Sequence, residues 1–332
     1  MADVTVYFAT NRMPDPASPG GFGSAIIPGS TPASYAVVPV TNVDLNDADG
    51  GQLGTVTALT PGNFTPTVQA EIQSTGKNLL VFIHGFDNSF ESAIKRSAFN
   101  REWFAASGVP EADTTVIAFT WPSGGQLFGS LPAPPDAAYR HDQDMAGRSS
   151  AHLASFLANV LTLVSQTRSA GRRAFLLAHS MGNHALAAAI ASGVASGGVT
   201  YNEAILPAAD EIYTTLQTPN VGMYRLRDLA DRISVYSSRR DIAMDLSRVV
   251  NRNQRLGFDG PADKGNPLTY TPATFRSVDC TDVYDFFGLI PFDATHQYYR
   301  RSRTVRGDIA KLMAGAPVAP GVSSLSAFVL GV

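Results

Sequence analysis

Five nearly continuous apolar runs, separated by stretches with helical spacing, constrain this chain more than any other feature. They are NLLVFI (78–83), TTVIAFT (114–120), RAFLLA (173–178), EAILPA (203–208) and RISVYS (232–237), and TFRSVDC (274–280) is expected to be a sixth strand. A run of that length without alternation is a strand buried on both faces. Between the runs lie helical patterns over about 89–106 and 143–167, in GNHALAAAIAS, and over about 303–313. Buried strands alternating with helices predict a mostly parallel central sheet covered by helices on both faces. Ahead of this region, VTVYF (4–8), SYAVVPV (34–40) and GTVTAL (54–59) alternate as half-buried strands among Pro, Gly and Ser-rich loops. The expected organisation is a β-rich N-terminal extension of the same domain (1–77), an α/β core (78–315) and a C-terminal tail (316–332) that reads as loop. Of the 332 residues 44% are hydrophobic, enough for a core of that size, and the mean hydropathy is near zero.

Ligands of such sheets sit beyond the carboxyl ends of the strands. One strand end there carries LLAHSMGNHAL, which nearly spells the Gly-x-Ser-x-Gly nucleophile elbow around Ser180. Gly182 supplies the second glycine, and Ala178 replaces the first at the expense of one methyl group. A serine that merely caps its helix would explain the same residues, but the strand, turn and Ala-rich helix together favour a nucleophile. A serine hydroxyl needs a base. Of the six histidines (84, 141, 152, 179, 184 and 296), only His184 and His296 follow Ser180. His184 lies on the elbow helix and points elsewhere, which leaves His296, just before the last helix. The acid that orients it is Asp241, after the fifth run, with Asp210 as the alternative. Asp241 would also cap the helix DIAMDLSRVV. The oxyanion donors are expected at the N–H groups of Met181 and Phe86, with His84 bracing the Phe86 loop rather than moving protons. Trp121, Leu127, Phe128, Leu131 and Tyr139, on the loop WPSGGQLFGSLPAPPDAAY, are candidates for an apolar acyl pocket.

Other classes find little support. The formal charge is −3, which gives no global attraction to nucleic acid or to an anionic membrane. The Arg-rich segment 225–255 reads as a solvated face. No glycine-rich nucleotide loop and no metal-ligand spacing occurs, so no cofactor and no metal is expected. No apolar stretch approaches the roughly 18 residues of a membrane span. The first residues lack the features of a secretion signal, and the single cysteine, Cys280, reads as a buried structural thiol. A cytoplasmic location follows as the expectation. Nothing in the sequence sets an oligomeric state.

Several segments (TNR near the start, VFIHGF, FTWPS, LLAHSMGN, VYSSRRDIAMDLSR followed by RLG, and the late His296) resemble the bacterial α/β-hydrolases of unknown function grouped as DUF900, over roughly 5–315. The resemblance implies an α/β-hydrolase fold with Ser180, Asp241 and His296 as its triad, and it makes Ala178 ordinary for this group. It departs at Thr295, where the family often has glycine. The expected activity is hydrolysis of small to medium carboxylic esters through an acyl-enzyme. The alternatives are a thioesterase or acyltransferase with the same triad, or a hydrolase-like binding protein without catalysis. A lipase of bulk lipid would need an exposed apolar patch around the pocket.

Overall fold

The protein is represented by a computed structural model that describes residues 1–47, 50–124, 135–194, 197–217, 219, 222–283, 285, 295–315 and 327–329. Strands β1 (Ala2–Thr10), β2 (Arg12–Pro14), β3 (Phe22–Ile26), β4 (Ser34–Val43), β5 (Gln52–Leu53) and β6 (Thr57–Leu59) open the chain. Helix α1 (Pro61–Thr75) leads into β7 (Asn78–Ile83), α2 (Phe90–Ala105), β8 (Thr114–Thr120), α3 (Pro135–Arg148), α4 (Ser150–Ser169), β9 (Ala174–Ala178) and α5 (Gly182–Ala191). The last third carries β10 (Glu203–Pro207), β11 (Ile233–Ser237), α6 (Ile242–Asn251), α7 (Leu256–Asp259), β12 (Phe275–Asp279), α8 (Tyr298–Arg301), α9 (Arg303–Met313) and β13 (Ala327–Val329).

One sheet runs β13-β12-β11-β10-β9-β7-β8-β1-β4-β5, with β6 also on β4, and β2–β3 form a separate hairpin. Every pair from β13 to β1 is parallel, and only β4, β5 and β6 pair antiparallel. The apolar runs explain this arrangement. In β7, Leu79, Val81 and Ile83 enter one core while Leu80 and Phe82 enter the other, because successive side chains alternate faces. Helices α1, α4 and α5 cover the first core, and α2, α8 and α9 cover the second.

The structure refines four local expectations. The N-terminal segment is not appended to the sheet: β1 pairs with β8 inside it. The same segment contains α1, which its prolines hide. Thr60 caps the Asn63 amide, Pro61 opens the first turn, and Phe64, Val68 and Ile72 form the buried stripe. The helix expected at 143–167 starts earlier and is two helices meeting at Ser149, whose hydroxyl bonds the Met145 carbonyl and receives Asn11 Nδ2. In the tail, Ala327–Val329 adds an edge strand to β12.

Candidate active site

Ser180 sits between β9 and α5 with φ +52°, a left-handed conformation that a non-glycine residue holds only when its surroundings impose it. Its N–H donates to the Pro207 carbonyl (3.2 Å), and its carbonyl accepts from the Asp210 and Asn183 amides (3.1 and 3.0 Å). The Asn183 side-chain amide ties both ends of the turn, to Ala178 O at 2.6 Å and Ser180 O at 3.2 Å. A Cβ on Gly182 would lie 2.5 Å from the His84 carbonyl, so no side chain fits there. A Cβ on Gly85 would lie 2.8 Å from Ser180 Cβ, which shows how tightly the turn after β7 presses on the elbow. The methyl group of Ala178 is fully buried in the core beside Ile83 and Met181. It fills space rather than disturbing the turn.

His296 Nδ1 lies 2.8 and 3.0 Å from the two carboxylate oxygens of Asp241. The Asp241 side chain is fully buried, and the His296 side chain is 9% exposed. Asp241 Oδ1 also accepts the Met244 amide at 3.0 Å, so one carboxylate caps α6 and holds the imidazole. Thr295, the departure from glycine, has a partner: its hydroxyl accepts the Ile242 amide at 3.4 Å and joins the His296 loop to the same helix end. His179 packs between His296 and Tyr299 with ring centroids 4.7 Å from each, and its Nε2 is 3.4 Å from the His296 carbonyl. Burial, together with the neighbouring His296 and Arg300, pushes its pKa well below the ordinary imidazole value.

The turn after β7 is held by its neighbours. The Trp121 N–H donates to His84 Nε2 (3.1 Å), so Nδ1 carries the proton and donates to the Gly85 carbonyl (2.9 Å). Burial, and then the nearby Arg12, push the His84 pKa down to about 3 and keep the ring neutral. Asn88 Nδ2 reaches the carbonyls of Gly85 and Phe86 (3.0 and 2.8 Å). Asp142 receives the amides of Gly124 (2.8 Å) and Asp87 (3.3 Å). Neither the Phe86 nor the Met181 N–H donates to another group among the described residues.

The family model "Alpha/beta hydrolase of unknown function (DUF900)" matches residues 61–306. This chain belongs to the DUF900 family of α/β-hydrolases. No curated protein matches it. A solved structure, "Crystal Structure Hormone-Sensitive Lipase from a Metagenome Library", is similar at 12% identity and a TM-score of 0.27, over 91% of this chain and 73% of that one. A likeness at that score carries no argument about fold or activity.

The segments that carry the resemblance meet in space, including TNR, which lies outside the matched residues 61–306. TNR supplies Asn11, bonded to Ser149, and Arg12, bonded to Gly23 and Asn88. RLG braces the strand end below Ser180. Arg255 pairs with Asp210 (2.6 Å), and the Gly257 N–H donates to Ala209 O (2.8 Å) so closely that a Cβ would lie 2.3 Å from the Ala208 backbone. Asp210, the alternative acid, is therefore committed elsewhere: Arg255, Ser247 and Tyr139 all donate to its carboxylate. Burial raises its pKa, but Arg255 and these hydrogen bonds prevail and hold it below the ordinary value.

The proposed pocket needs correction. Trp121 is fully buried, stacked on His84 at 5.1 Å, and donates through Nε1 to the His84 carbonyl. Tyr139 is buried against Phe86 and Asp210. Both pack the loop onto the body, while Leu127, Phe128 and Leu131 lie outside the described residues. His184 points away from the elbow and pairs with Glu211 at 2.6 Å. In the Arg-rich segment, Arg225, Arg232, Arg248 and Arg255 have carboxylate partners. Cys280 is buried, and burial pushes its thiol pKa well up. Sequence reasoning missed Asn183, Asn88 and Asp142. Their only signal was their place beside the motifs, because their role is to tie backbone groups together.

Proposed function

We propose that the protein is a serine hydrolase acting on carboxylic esters of small to medium size through an acyl-enzyme. The observation that carries this reading is the Asp241–His296 pair, joined across 55 residues at 2.8 Å on the same sheet edge as Ser180. Because Nδ1 is engaged by Asp241, Nε2 is the nitrogen left to take the Ser180 proton as Oγ attacks the carbonyl. The Phe86 and Met181 amides then stabilise the oxyanion. His296 passes the proton to the leaving alcohol and afterwards activates a water molecule that releases the acid. Asp241 keeps the imidazole in the required tautomer and stabilises its cation. Among the described residues between β10 and β11 there is only a 3-10 turn (Tyr224–Asp228) and no α-helical lid, which favours an open site and modest ester size. With one cysteine in the chain, the cytoplasm is the proposed compartment.

The test is labelling with a fluorophosphonate, with peptide mass spectrometry on wild type, Ser180→Ala and His296→Ala, followed by a panel of esters of increasing chain length. Labelling at Ser180 that disappears in both variants is the expected result, with turnover lower by roughly 10⁶. Folded wild type that neither labels nor hydrolyses any ester would leave a binding protein as the better reading.

A further inference from the structure

A cleft lies between the hairpin β2–β3 and the start of α2. Arg12 is 1% exposed. Its Nη1 donates to Gly23 O (3.1 Å) and its Nη2 to Asn88 O (2.7 Å), both neutral acceptors. Nε has no acceptor among the described residues, and no carboxylate among them lies within ion-pairing distance. A buried cation in that condition is costly, since burial removes hydration that only an anion replaces well. Burial lowers its pKa to about 9, with only a partial counter-effect from Asp142.

Arg12 lines this cleft of about 150 Å³, together with Ser18, Phe22, Ser24, Ser89 and Ser123. The N-terminus of the 16-residue helix α2 opens onto it at Ser89 and Phe90, adding a partial positive charge. Glu91 is the one acid on the lining, and Lys95 neutralises it at 2.8 Å. Asp15, on the same hairpin, is occupied by the Ser18 hydroxyl and the Ala17 amide. The volume is well above the roughly 10–15 Å³ that one water needs on the same measure, so a small oxyanion fits.

We propose that this cleft binds a small oxyanion, phosphate or carboxylate, with Arg12 supplying the charge and α2 its N-terminal dipole. The anion is either free in solution or the acidic arm of a substrate. Asn88 links the cleft to the elbow, because it accepts from Arg12 and donates to the carbonyls of Gly85 and Phe86. Anion binding at the site does not depend on the hydrolase reading and is tested without turnover; only the source of the anion is assigned by ester turnover and rests on that reading.

Thermal unfolding of the full chain is followed against inorganic phosphate, with chloride at matched ionic strength as the control. The expected result is a saturable rise of about 5 °C at a hundredfold excess over Kd. It is lost in Arg12→Met and in Ser24→Glu, which places a carboxylate at the exposed mouth of the cleft, and kept in Ser180→Ala. Ser24→Glu guards against the case in which Arg12→Met does not fold. A phosphate effect equal to that of chloride, or one that survives Ser24→Glu, overturns the proposal. Esters with a neutral or an acidic arm then separate the two sources. If phosphate competes with the acidic ester alone, the cleft is a substrate subsite, and if it changes turnover of the neutral ester, the ligand is the free anion.

Discussion

At the scale of single residues, Asp241 performs two tasks with one carboxylate, and substitutions separate them. Asp241→Asn can still cap α6 through its side-chain oxygen but cannot hold the imidazole as a carboxylate does. Its stability should be near wild type and its kcat lower by about 10⁴. Asp241→Ala should lose about 1 kcal/mol as well, from the missing cap. Ester turnover together with urea midpoints reads both effects, and an Asn variant that keeps most of its turnover would remove Asp241 from the proposed triad. The elbow gives a second pair. Ala178→Gly should keep Ser180 labelling and lose about 1–2 kcal/mol, because a buried methyl and some backbone rigidity are removed. Gly182→Ala should abolish labelling, because its Cβ would collide with the His84 carbonyl at 2.5 Å.

At the scale of elements, α1 shows how local rules can conceal a helix. Pro66 lacks the N–H that would bond the Gly62 carbonyl, and a proline inside a segment reads as a break. The helix forms because Phe64, Val68 and Ile72 bury one stripe on the sheet, and Gly76 ends it at φ +67°. Pro66 is exposed, so Pro66→Ala should raise stability by about 1 kcal/mol, measured by urea unfolding. The junction at Ser149 is a different case. Helical spacing continues through it, and the division falls where Ser149 meets Asn11, 138 residues away in sequence.

For the whole molecule, the buried neutral histidines set an acid limit. His84 has its pKa pushed to about 3, and His179 is held well below 6.5, chiefly by burial in each case. The unfolded chain binds protons at these positions below about pH 6.5 and the folded chain does not, so stability is full above that pH and falls as pH decreases. Each histidine should contribute about 1.4 kcal/mol per pH unit in that range. Urea titrations between about pH 4.5 and pH 7.5 measure the slope; half of it would mean that one ring protonates in place, and a flat profile that both do. Asp210 adds a limit at lower pH. Held below its ordinary value, it stabilises the fold above about pH 4 and loses that contribution as pH falls further. The sequence runs by themselves marked the six strands β7 to β12 of the parallel sheet, because a strand buried on both faces is largely apolar, whereas the parallel pairing of β1 and β13 was decided by tertiary structure. The runs also located the elbow, since the turn chemistry around Ser180 is local. The pairing of His296 with Asp241 instead of Asp210 was decided by tertiary structure, because both aspartates follow strands and only packing shows that Arg255 already holds Asp210. The burial of Trp121 and Tyr139 was decided in the same way, because an aromatic ring on a loop suits a pocket or a core equally until its neighbours are known.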